Sequence, residues 1–225
     1  MSMEFIEYPD REMLALSLAS KLAGQLSQHL RVSDSASLCV PGGTTPAPVF
    51  EMLSASELDW SRVTVMLNDE RWVGEDNPRS NTRLLHERLL TDKAAAATLV
   101  PLYAAAEVPE TALAGLSEGL ASHLPITVLL LGMGTDMHTA SLFPGADRLT
   151  EALASDAPIL MPMRAEAAGE PRVTLTAPVL AGAMNIHILI TGAEKRAAIE
   201  RAAGLTALEA PVRAVLDHAT VHWAE

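Results

Sequence analysis

The sequence predicts an α/β fold, a single doubly wound domain over residues 1–225 with a mostly parallel sheet covered by helices on both faces. Three observations carry this. Strand-like and helix-like segments alternate along the whole chain, the pattern of βα units. The strand-like segments SLCV, ITVLLL and NIHILIT are nearly continuous in apolar residues, as expected of parallel strands buried on both faces. Hydrophobic residues make up 49% of the chain and charged residues 20%, a composition that supports a sizeable core and argues against disorder.

The elements follow in order. Residues 10–30 place Leu14, Leu18, Leu22, Leu26 and Leu30 at spacing four, with Ala15 and Ala19 beside them, which predicts an amphipathic helix. Residues 37–40 form a short apolar run stopped by PGG, and PAPVFEML then opens a helix with proline in its first turn. RVTVML (62–67) is a second strand. Ser80 is a suitable N-cap for a helix over 81–90. TLVPLY (98–103) is a weaker strand, 109–124 a helix, and ITVLLL (126–131) the strongest strand of the chain. PILMPM (158–163) is expected as a strand, 176–183 as a helix, 185–191 as a strand and 193–203 as a helix. A helix near 211–216 and a strand at 220–223 close the chain.

The formal net charge of −12 argues against nucleic acid, whose phosphates require a basic face. It leaves room for a small anion, since a few local cations and backbone N–H groups suffice to hold one phosphate. With one cysteine, Cys39, no internal disulfide can form, and a reducing compartment is expected. MSMEFIEYPDREM is acidic where a secretion signal is basic and then apolar, and no apolar run reaches the length of a membrane span. A cytoplasmic protein that binds neither membrane nor nucleic acid is the expectation.

In doubly wound folds ligands bind beyond the carboxyl ends of the strands, and three chemical-looking stretches each follow a predicted strand. PGGTTP (41–46) reads either as a turn with a helix cap or as a phosphate cradle built from flexible glycines, Thr44 and Thr45 hydroxyls and a helix N-terminus. It is neither GxxxxGK[ST] nor GxGxxG. NDERWV (68–73) reads as a solvated strand end with an Asp–Arg pair, or as Asp69 and Arg71 delivered into a cleft. LLGMGTDMHTASLFPG (130–145) sets Asp136 and His138 two apart in a glycine-rich loop. If that loop is extended, the two side chains point the same way and share a pocket. A lone histidine is more often structural, but this setting favours acid–base work. The other six histidines lack a comparable setting, and neither HExxH nor CxxC occurs, so no metal site is expected. Arg172 and Lys195 are either ordinary surface cations or parts of the same rim, Lys195 falling in the first turn of a helix after a strand.

Taken together these stretches resemble the 6-phosphogluconolactonase family over nearly the whole chain. GGTTP is similar to the family's GGSTP, NDERWV to its DERxV, and Ser80–Asn81 to its SN. GMGTDMHTASLFPG is similar to GxGxDGHTASLFPG, and RVTLT with GAEK completes the order. The resemblance implies hydrolysis of 6-phospho-D-glucono-1,5-lactone in the pentose phosphate pathway, without metal or organic cofactor. It implies a fold shared with glucosamine-6-phosphate deaminases. By position, His138 is implied as general base with Asp136 and Asp69 as its cleft partners. Gly43, Thr44, Thr45, Arg172 and Lys195 are implied around the phosphate, and Arg71 near the lactone. Two departures stand out: Met137 replaces the glycine between aspartate and histidine, and Gly74 replaces a proline. A positive φ at Met137 would cost about 1 kcal/mol. A deaminase carries a glutamate five residues after the histidine, where this chain has Phe143. A non-catalytic sugar-phosphate sensor is the alternative from another class, usually with a DNA-binding segment for which neither end here is basic or long enough.

Overall fold

The computed structural model describes residues 3–225. Its frame begins with β1 (Glu4–Glu7) and α1 (Arg11–Leu30), whose N-cap Asp10 accepts a hydrogen bond from the Met13 N–H at 2.7 Å. The leucines at spacing four are all buried, and α1 packs on α2 and across the sheet. Then follow β2 (Ala36–Val40), α2 (Ala47–Ser54), β3 (Val63–Leu67), β4 (Asp69–Arg71), α3 (Asn81–Arg88), β5 (Thr98–Val100) and α4 (Leu113–Ala121). The second half holds β6 (Val128–Gly132), α5 (Leu149–Ala152), β7 (Leu160–Met163), β8 (Arg172–Leu175), α6 (Ala177–Ala181), β9 (Ile186–Thr191), α7 (Ala193–Ala202), α8 (Arg213–Leu216) and β10 (Ala219–Ala224).

Seven strands form one sheet in the order β1-β10-β9-β6-β2-β3-β5, and every pairing in it is parallel. The chain winds outward from β2 through β3 to β5, returns to lay β6 on the other side of β2, then winds outward through β9 and β10. The strand order therefore reverses between β2 and β6, and the loops leaving those two strands part there and open a crevice. One cluster of buried apolar side chains fills both faces, from Leu18, Leu22 and Phe50 through Leu38, Val65, Leu129, Ile188 and Val221.

Sequence periodicity did not reveal a second, three-stranded antiparallel sheet, β4-β8-β7. The expected strand at 158–163 exists, but it belongs here and not to the parallel sheet. Asn68 joins the two sheets: its N–H donates to Val40 O of β2 at 3.0 Å, while its C=O accepts from Leu175 N–H of β8 at 2.9 Å. The chain thus leaves the parallel ladder one residue before Asp69, and DER pairs with RVT instead. Two further differences are local. The strand begun at Thr98 stops at Val100, because Pro101 has no N–H to donate. The strand β1 escaped notice because its two glutamates are exposed at the sheet edge.

Candidate active site at the carboxyl edge of the sheet

A cleft of about 200 Å³ occupies the crevice. Its walls come from the ends of four parallel strands: Pro41 to Gly43, Thr45 and Pro46 after β2; Asn68, Asp69 and Arg71 after β3; Gly132 to Gly134, His138 and Ala140 after β6; and Leu189 with Lys195 at β9 and α7. Asn81 and Arg172 complete it.

In the PGGTTP loop the two glycines do different work. Gly43 has φ +87°, a conformation that disfavours any side chain. Gly42 makes room: a Cβ there would lie 1.9 Å from Asn81 Oδ1, and Asn81 Nδ2 donates to Asp69 O at 3.0 Å. Thr45 faces the cleft, whereas Thr44 lies in an adjoining cavity with Arg11, Thr45 and Thr191. Of the two threonines expected at the phosphate, Thr45 lines the main cleft, and both line the adjoining cavity.

His138 Nδ1 lies 2.6 Å from Asp136 Oδ1, and the same oxygen accepts the His138 backbone N–H at 3.2 Å. The hydrogen bond from the imidazole holds the Asp136 carboxyl below its ordinary range. The contact does not arise from an extended segment, as anticipated. Met137 adopts φ +68°, and its N–H donates to Gly134 O at 2.9 Å, so a tight turn brings residues 136 and 138 together. Gly134 must be glycine because a Cβ would stand 2.3 Å from the imidazole. Met137 bears the left-handed conformation within a fixed setting: its C=O accepts from Val212 N–H at 3.1 Å, and its side chain packs on the core. The Phe143 ring lies 4.4 Å from the imidazole, centroid to centroid.

The DER segment divides its labour. Asp69 lines the cleft and pairs with Arg172, whose Nη1 is 3.6 Å from Asp69 Oδ2, rather than with its neighbour Arg71. Arg172 is buried at 7% exposure and lies over the face of Phe143 at 5.6 Å. Burial lowers its pKa, against the pull of Asp69. Among the described residues the buried Nε–H groups of Arg71 and Arg172 have no hydrogen-bond acceptor, which leaves donors unsatisfied beside the cleft. Glu70 turns away. Fully buried, it accepts the N–H groups of Arg71, Asn81 and Thr82, each at 2.8 Å, and the hydroxyls of Ser80 and Thr82. It caps the positive end of α3. Burial still raises its pKa despite these donors.

Lys195, in the first turn of α7 after Gly192 (φ +84°), lines the cleft and makes no ion pair among the described residues. Burial lowers its pKa while Asp136 opposes the shift. Among the described residues three cations thus surround a cleft in which Asp69 is the one lining carboxylate. Among the described residues no group of three or more His, Cys, Asp or Glu side chains could hold a metal ion.

The family described as glucosamine-6-phosphate isomerases/6-phosphogluconolactonase matches residues 9–223. The chain belongs to this family. A 6-phosphogluconolactonase of Rhizobium meliloti (strain 1021) is 45% identical, covering 99% of this chain and 98% of that protein. One from Mesorhizobium japonicum is 44% identical, covering 96% and 93%. A crystal structure of a 6-phosphogluconolactonase from Shewanella baltica OS155 superposes with a TM-score of 0.96 at 33% identity, covering 100% of this chain and 98% of the other.

For this family member, the sequence had pointed to most of the residues that meet in the cleft: Gly43, Thr45, Asp69, Arg71, His138, Arg172 and Lys195. It missed Asn68 and Asn81, which line the same cleft, and Ser141, whose hydroxyl donates to Asp69 Oδ2 at 2.5 Å. Nothing in a local pattern marks a serine that reaches 72 residues back along the chain.

Proposed function

We propose that this chain hydrolyses 6-phospho-D-glucono-1,5-lactone to 6-phospho-D-gluconate, the lactone-opening step of the pentose phosphate pathway, within one domain over residues 1–225. The observation that carries the reading is His138, tied through Nδ1 to Asp136 in a cleft ringed by Lys195, Arg71 and Arg172. It is supported by the names of full-length relatives at 45% and 44% identity.

The neutral imidazole, donating Nδ1–H to Asp136, keeps the Nε2 lone pair free as a base. It takes a proton from water as the water oxygen attacks C1 of the lactone. Asp136 steadies the imidazolium that forms. The tetrahedral intermediate then breaks its bond to the ring oxygen, which takes the proton back from Nε2, and the new carboxyl group ionises to solvent. A lactone carbonyl is already electrophilic, so no covalent nucleophile is needed. Arg71 stands ready for the charge that develops on the carbonyl oxygen. Lys195, Arg172 and the Gly43–Thr45 turn take the phosphate, whose binding fixes C1 against the water.

Amine release from glucosamine 6-phosphate fits this cleft poorly. Phe143, at the position where that chemistry has a glutamate, offers only a hydrocarbon face to His138. Freshly made lactone supplies the test, with acid release followed and spontaneous opening subtracted. Release well above the spontaneous rate is the expected result. No excess release, or ammonia from glucosamine 6-phosphate, overturns the reading.

A further inference from the structure

Ser141 follows His138 by three residues and has 0% exposure. A buried hydroxyl is costly unless bonded, and this one has a single acceptor, Asp69 Oδ2 at 2.5 Å. The Ser141 N–H is also held, donating to Thr174 Oγ1 at 3.2 Å, and that hydroxyl donates to Leu175 O at 3.0 Å. Thr174 is the β8 residue paired with Asp69 on β4. The serine is therefore clamped by the same strand pair that carries the carboxylate it binds. On the other side, the Thr139 hydroxyl donates to Gly132 O at 2.9 Å, and Ala140 turns at φ +48° to aim the chain at Asp69.

The arrangement has a directional consequence. Both partners of the Asp69 carboxylate, Ser141 Oγ and Arg172 Nη1, approach Oδ2. Among the described residues Oδ1 has no hydrogen-bond partner, and Asp69 lines the cleft. Oδ1 is the oxygen left to accept an O–H group there. Of the two polar contacts to Oδ2 only the serine is within hydrogen-bond distance, so it is the group that fixes the carboxylate's rotation.

We propose that Ser141 is a positioning residue of the reaction: by holding Asp69 Oδ2 it presents Oδ1 to the cleft and sets its spacing to the loop that carries His138. The proposal rests on the lactone-hydrolysis reading and adds to it a residue that touches no substrate. A serine acting only through Asp69 must lose its effect once the carboxylate is gone, which a double-mutant cycle measures.

The experiment uses lactone hydrolysis by the full chain, with Ser141→Ala, Asp69→Asn, their combination and Ser141→Cys. Ser141→Ala is expected to lower kcat/KM on the order of tenfold, since a hydrogen bond to a charged group is lost. In the Asp69→Asn background the same substitution should change kcat/KM less than about twofold. Ser141→Cys, nearly isosteric and a weaker donor, should fall between alanine and wild type, and it covers the case in which alanine impairs folding. A Ser141→Ala enzyme as active as wild type, or a loss undiminished in the Asp69→Asn background, overturns the proposal while the function stands. A wild-type protein that does not open the lactone overturns the functional reading, and the proposal with it.

Discussion

At the carboxyl edge of the sheet, His138 is half-buried and holds Nδ1 2.6 Å from the exposed carboxylate of Asp136. Within the sheet, His187 on β9 and His222 on β10 face each other with ring nitrogens 3.0 Å apart, at 2% and 0% exposure. The inner pair belongs to a chain of donors. Tyr8 O–H donates to His222 Nδ1 at 2.8 Å, His222 Nε2–H donates to His187 Nδ1, and His187 Nε2–H donates to Gln25 Oε1 at 2.8 Å. That direction satisfies every group with both rings neutral. Burial pushes His187 down to about 4 and His222 to about 3, helped at both by the Lys21 charge and, at His222, by His187. Glu4 opposes the shift at His187. The contrast teaches that a histidine's task follows from its partner and its water. A carboxylate at the solvent edge orients an imidazole beside the cleft, and burial in the core keeps the inner pair from gaining protons.

Removing the edge imidazole should give the largest effect. His138→Asn is expected to lower kcat on the order of 10²-fold or more, with the unfolding midpoint nearly unchanged. Near-wild-type kcat after subtraction of spontaneous opening would move the base role to Asp69.

The inner pair should show the opposite signature. His222→Ala leaves Tyr8 and His187 without their shared partner and opens a cavity, so it should cost about 2–4 kcal/mol in a denaturant titration. The rate per folded molecule should change little. A matching loss of kcat would mean that the two regions are coupled.

Acid should separate the pairs further. The folded-state pKa values of His187 and His222 lie below the ordinary 6.5, so the unfolded chain binds more protons as pH falls. Their contribution to stability is full above pH 6.5 and declines from there toward about 4 and 3. Each imidazole adds about 1.4 kcal/mol per pH unit to the slope. Unfolding free energies measured from pH 7 to 5 should show the decline, and His187→Gln should flatten it. An unchanged slope in that variant would assign the acid sensitivity elsewhere.

Two smaller effects sharpen the picture of the edge site. Lys195→Ala should raise KM roughly tenfold and spare kcat, because the ammonium binds phosphate equally in ground and transition states. Loss of kcat alone would remove Lys195 from the phosphate. Met137→Gly relieves the φ of +68° but gives up side-chain packing and chain rigidity. Stability should move by less than about 1 kcal/mol and activity by less than about twofold, as read by thermal melts and kinetics.

The sequence by itself determined what is encoded within a few residues. Leucines at spacing four specified α1, unbroken apolar runs specified the buried parallel strands, and the Ser80 cap started α3 where expected. The glycine-rich stretches after β2 and β6 marked the edge where the site lies, because a turn's chemistry is local. Tertiary structure alone decided which distant groups meet. Ser141 finds Asp69 across 72 residues, His187 finds His222 across 35, and Tyr8 finds His222 across 214. The departure of Asp69 from the parallel sheet was equally hidden, because its partner strand β8 lies about a hundred residues on and only packing brings it near. That Thr45 lines both the cleft and the adjoining cavity it shares with Thr44 is likewise a matter of tertiary placement. Periodicity records which face of an element is apolar, and the partners that satisfy a buried polar group are fixed only when the whole chain has closed around it.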